Sequence, residues 1–295
     1  MAASKLIKAI QSGKLPAVRA AIAAGESVRQ PRTEPPLTIA AAKGHLAIVK
    51  ELLTAGAKAS ATDSMGRQAL VYAKTPQVAK ALLEAGADPD QVSKWGNAAL
   101  HVAAANGKTA YAKVLLAHGA KVDVRDKEGQ TPLMKGAWHG KTEFVKLLLA
   151  YGADVNATDP DGKTALLKIA GKGGAPKIAK LLLKAGANIN HASDHGTALG
   201  NAAYWRDWSL FQYLLKAGAD VNVADKHGCT PLLSAVRIED FKIATALVKA
   251  GADWSQQISK KHSNKQIAGR TIAEIVEFCQ PPFRNKIRPL VGKSS

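Results

Sequence analysis

Eight histidines and two cysteines hold most of this chain's capacity for metal or nucleophilic chemistry. A structural zinc site needs four such ligands gathered by short, characteristic spacings, and no His/Cys cluster of that kind occurs. His195 and His227 fall at matching turns of separate structural units, too far apart to share a metal without further ligands. Gly171-Lys172-Gly173-Gly174 has the composition of a phosphate-cradling loop, but no strand precedes it, so it reads as a turn. Walker-type, G-x-S-x-G and H-E-x-x-H motifs are all absent. The expectation is a non-enzymatic protein with no metal and no cofactor. Two cysteines are too few for a disulfide scaffold and favour a reducing compartment. Cys229 is expected in a loop and Cys279 in a C-terminal helix, both as free thiols.

The elements that must position any binding residues come from one repeated unit. Thr131 is a helix N-cap, Pro132 suits the first helical position, and Leu133 and Ala137 line one face of a two-turn helix. Gly140 breaks that helix. Phe144, Val145, Leu148 and Leu149 give a second helix its buried face, and Gly152 stops it in the left-handed conformation. Asp159-Pro160-Asp161-Gly162 is turn chemistry. Thr164 then reopens the pattern, 33 residues after Thr131. Neither helix is long enough to be stable alone, so each unit must stack on a neighbour.

Three sets of residues recur in register: Thr-Pro-Leu at Thr131–Leu133 and Thr230–Leu232, GHLAIVKELLTAGA at 44–57, and Gly-Ala-Asp-Val-Asn at Gly152–Asn156 and Gly218–Asn222. On these the chain resembles the ankyrin repeat family along nearly its whole length. The resemblance implies an all-α solenoid of about eight to nine helix–turn–helix units with hairpin-like loops. It gives a single domain over 1–295: an N-terminal capping unit at 1–34, regular repeats at 35–253, and an expanded loop with a C-terminal capping unit at 254–295. Lys5, Lys8, Lys14 and Arg19, with no acid before Glu26, also suit a transit peptide. Leu6–Ala24 fits the repeat, however, and the capping unit is the reading adopted. The repeat at 68–97 lacks three residues near Lys74-Thr75-Pro76, so its first helix should be short. In the repeat at 197–229, Arg206 stands where the inter-helix Gly is expected.

The informative residues are those the repeat does not require. By resemblance, Trp138-His139 and Tyr204-Trp205 line a concave groove, as do Lys172 and Arg237, with Trp95, Arg67, Lys94 and Lys127 on loop tips facing it. Aromatic anchors ringed by polar groups are typical of binding surfaces. The expected function is therefore binding of another protein, acidic in character, by a monomer. The resemblance also makes His45, His101 and His118 structural. A second feature is a basic column: Arg19, Lys50, Lys80, Lys113, Lys146 and Lys180 share one position of the second helix, where the family commonly has Glu. With a formal charge of +18, the alternative is an electrostatic adaptor for nucleic acid or an anionic membrane; the same charge also serves solubility. No run reaches the ~18 apolar residues of a membrane span. The expected location is intracellular and cytoplasmic, with secretion into a host cell as the alternative.

Overall fold

The computed structural model describes residues 4–29, 35–170, 175–260, 262 and 264–291. The chain divides into two compact bodies, Met1–Gly136 with Lys146–Ala153, and Ala137–Val145 with Asp154–Ser295. The first body pairs α1 (Lys5–Ser12) with α2 (Leu15–Ala23), α3 (Pro36–Lys43) with α4 (Leu46–Thr54), α5 (Ala69–Tyr72) with α6 (Pro76–Glu84), and α7 (Ala99–Asn106) with α8 (Thr109–Ala117). Next come α9 (Pro132–Trp138) and α10 (Thr142–Ala150). The second body pairs α11 (Ala165–Lys168) with α12 (Ala175–Lys184) and α13 (Ala198–Tyr204) with α14 (Trp208–Lys216). It continues with α15 (Pro231–Arg237) and α16 (Phe241–Lys249), then α17 (Ile272–Val276) and α18 (Pro281–Ile287). The helix-pair architecture read from the sequence is the architecture found.

Each pair begins and turns by local chemistry. The hydroxyls of Thr131, Thr164, Thr197 and Thr230 accept from the N–H three residues on, at 3.1–3.4 Å. Such a cap satisfies one of the orphan donors that a helix start exposes. The turn between paired helices needs one left-handed residue, and Gly13, Gly44, Gly107 and Gly140 supply it. Arg206 takes the same conformation at φ 53°, and so does Glu239 at φ 52°, a position that no feature of the sequence marks. Contacts hold both in place: Arg206 donates to the Ile238 carbonyl at 2.6 Å, and Glu239 accepts from the Gln280 N–H at 2.8 Å.

The short first helix expected near Lys74 is α5, only four residues long. Tyr111 reaches its end, donating its hydroxyl to the Leu70 carbonyl at 2.6 Å. Cores within each body are small and aliphatic: Val49, Leu52, Leu82 and Leu115 in the first, Leu182, Leu214 and Leu247 in the second. Cys279 differs from expectation. It lies in the bend between α17 and α18, because α17 already ends at Val276. From the sequence a frayed tail is expected at 292–295, which lies outside the described residues.

Candidate functional site

The loops between repeats are braced by a carboxylate acceptor, buried at Asp63, Asp126 and Asp159 and half-buried at Asp225. Asp63, Asp126, Asp159 and Asp225 each accept N–H bonds from the residues two and four positions on. Ser93 and Ser193 stand in for them in the other hairpins, and β1 (Ala192–Ser193) pairs with β2 (Gly196–Thr197) there. Successive tips then join through backbone: Lys94 N–H to Met65 O at 2.9 Å, and Ser259 N–H to His227 O at 3.0 Å.

A buried carboxylate also needs a cation or a hydroxyl. Lys135 meets Asp126 at 2.7 Å, Lys168 meets Asp159 at 2.6 Å, and the Tyr72 hydroxyl meets Asp63 at 2.5 Å. Burial pushes the Asp126 carboxyl up, but the Lys135 ammonium and the Gln130 N–H outweigh it and the pKa is lowered. His101, 1% exposed, accepts from the Ala98 N–H and sits 3.0 Å from the Gln130 carbonyl, and its burial lowers its pKa. The structural role expected of His101 is thereby explained by geometry.

In the second body the helix turns and loop tips surround an open cavity of about 770 Å³, within the usual range for ligand sites. Trp138, Tyr204 and Trp205 form its aromatic wall. They are 44%, 44% and 63% exposed, far more than packing residues of that size. Tyr204 and Trp205 hold each other edge to face, with ring centres 5.3 Å apart. The tips contribute His195, Lys226 and His227, and the floor contributes Lys168, Asn201 and Cys229.

Most charges around this cavity are already matched. Lys163 pairs with Asp161 at 3.1 Å and lowers its pKa, and Lys226 pairs with Asp194. Arg237 is exposed and forms no ion pair among the described residues, so it is the cation on this surface open to a ligand. Cys229 is a poor nucleophile, since burial and then the Asp225 carboxylate push its thiol up to about 11. Among the described residues no group of three His, Cys, Asp or Glu could hold a metal, and no helix is long and apolar enough to cross a membrane.

The structure thus brings Trp138, Tyr204, Trp205 and Arg237 to one surface. His139 is exposed but does not line the cavity, and Lys172 lies outside the described residues. In the first body, Lys94, Trp95 and Lys127 are exposed on stacked tips. Arg67 is turned inward, 3.0 Å from Asp63 and 4.8 Å from the Tyr72 ring centre. All six residues of the basic column are exposed, but Arg19 pairs with Glu51 at 2.9 Å and Lys80 with Glu84 at 3.7 Å. Sequence reasoning missed Lys168 and His262 as cavity residues. Lys168 could have been found, because Asp159 precedes it by the spacing that separates Asp126 from Lys135. His262 could not: it reaches the cavity because the expanded loop packs on the 225–228 tip, its ring centre 6.0 Å from that of His227.

A family model for ankyrin repeats matches three stretches, residues 6–92, 73–159 and 166–258. No curated protein matches. Among solved structures 582 chains match. One is the crystal structure of the ankyrin repeat domain of Bcl-3, described as a unique member of the IkappaB protein family. It is 29% identical with a TM-score of 0.64, over 72% of this chain and 98% of that one.

Proposed function

This chain belongs to the ankyrin repeat family, and from that premise we propose that it is an interaction module whose second body binds a segment of another protein in the open cavity. Ankyrin repeat domains generally mediate protein–protein interaction. One observation carries the reading: three exposed aromatic rings from two repeats converge on a single cavity beside Arg237, which forms no ion pair among the described residues. Burying such rings against a partner removes a large apolar area from water at little entropic cost, since each has two rotatable side-chain bonds. Arg237 selects an acidic side chain in that segment, because a carboxylate can take two parallel hydrogen bonds from its guanidinium. The module acts as a monomer and as a binder, not a catalyst.

A random peptide library displayed against the full chain tests this. Retained peptides should be enriched in acidic residues next to an apolar anchor. Trp205→Ala and Arg237→Ala should each weaken a selected peptide by about 2 kcal/mol, roughly thirtyfold, with an unchanged helical spectrum. Selected peptides that bind both variants and Trp138→Ala as tightly as the parent would sink the proposal.

A further inference from the structure

The second helices of the second body carry charge that the cavity does not use. α12 presents Lys177, Lys180 and Lys184, α14 presents Lys216, and α16 presents Lys242 and Lys249, all exposed. No Asp or Glu occurs within these three helices, and none of the six ammonium groups forms an ion pair among the described residues. On the first body's second helices, Glu51 and Glu84 answer Arg19 and Lys80, while Lys50 and Lys113 form no ion pair among the described residues.

Helix stability explains only part of this. Lys184, Lys216 and Lys249 end their helices, where a cation favours the negative end of the helix dipole. The same place in α4, α6 and α8 holds Thr54, Glu84 and Ala117, so the repeat does not require a lysine there. Like charges on neighbouring packed helices repel one another, which makes the unrelieved row a cost to folding and points to an external anion.

The chemistry of the row indicates which anion. Every member is a lysine, a mobile point charge, and none offers the planar fork with which arginine reads single phosphates or bases. The large rings beside Lys242 already carry a cation rather than an open face for a base to stack on: Trp208 is stacked on Phe211 and covered by the Lys242 ammonium, 3.9 Å from its ring centre, and the Lys286 ammonium lies 6.0 Å from the centre of Phe241. Such a row senses charge density.

We propose that the face formed by α12, α14 and α16 docks on an anionic phospholipid surface, leaving the aromatic cavity free for its partner. Flotation of the full chain with vesicles tests it. Phosphatidylcholine vesicles containing phosphatidylserine should carry the protein at low ionic strength, phosphatidylcholine alone should not, and binding should fall as salt rises. Each lysine near such a leaflet strengthens binding about fivefold, so combining Lys184→Gln, Lys216→Gln and Lys249→Gln should lower the partition coefficient on the order of a hundredfold. Arginine at the same three positions should keep it. Trp138→Ala with Trp205→Ala should bind vesicles as the parent does, which separates failure here from failure of the peptide-binding reading. Equal binding to neutral vesicles, or an unaffected glutamine variant, overturns the proposal. So does binding to duplex DNA that the glutamine variant abolishes while anionic vesicles stay unbound.

Discussion

Replacing Gly96 by Ala tests how closely successive loop tips are stacked. Gly96 has φ 77°, and a Cβ there would lie 2.3 Å from the Lys127 backbone nitrogen and 2.7 Å from Lys127 Cγ. Gly86 has nearly the same backbone conformation, φ 85°, with nothing within 4 Å of the added carbon. Alanine at either site bears the left-handed penalty, about 1 kcal/mol. Only at position 96 must backbone also move, an overpacking cost of about 1–3 kcal/mol. Gly96→Ala should therefore lose about 2–4 kcal/mol and Gly86→Ala about 1 kcal/mol. Urea unfolding followed by far-ultraviolet circular dichroism reads both, with equal denaturant slopes showing that a midpoint shift reports stability. Equal losses in the two variants would refute the reasoning, because the near contact with Lys127 is the only difference it invokes.

His101 is held neutral by burial, so its folded pKa is lowered below the usual 6.5. The unfolded chain takes up the proton first, and stability present above 6.5 is lost as pH falls below it. His101→Gln should thus flatten the fall in urea midpoint between about pH 8 and about pH 5. Lys135→Met strands the Asp126 carboxylate, 2% exposed at its side chain, and should cost about 2 kcal/mol near neutral pH; a thermal melt matching the parent would remove the ion pair as a stabilising element. With both thiols pushed up to about 11 from 9.0, Cys229 and Cys279 should react with a disulfide reagent about tenfold more slowly in the folded chain than in urea, the loss of thiolate being partly offset by its greater nucleophilicity.

Several features of the site are legible in the sequence because they depend on residues near one another along the chain. Trp138, Tyr204 and Trp205 stand out as large rings at positions where the repeat needs none, and their exposure follows from that placement. Arg206 is marked by the glycine it replaces. Glu239 occupies the same place without such a mark, because its left-handed conformation is held by Gln280, a partner 41 residues away. Arg67 misleads although its partners are near along the chain. As a tip cation it suits a binding role, yet Asp63 and Tyr72 take its guanidinium inward. The basic column reads as uniform along the chain, but acids in α4 and α6 answer Arg19 and Lys80, and none occurs within α8, α12, α14 or α16.

The sequence alone determined the repeat, its helix caps, its left-handed turns and the aliphatic faces that stack. Each of these arises from interactions spanning a few residues, and a period of 33 repeats them in register. Only the tertiary structure decided which charges were already satisfied and which side chains met. Arg237 is free while Lys163, Lys168 and Lys226 are paired, and His262 reaches the cavity through a loop that no repeat predicts. The Lys226–Asp194 pair and the His227–His262 contact join residues more than 30 positions apart, set by stacking one repeat on the next, which no local pattern encodes.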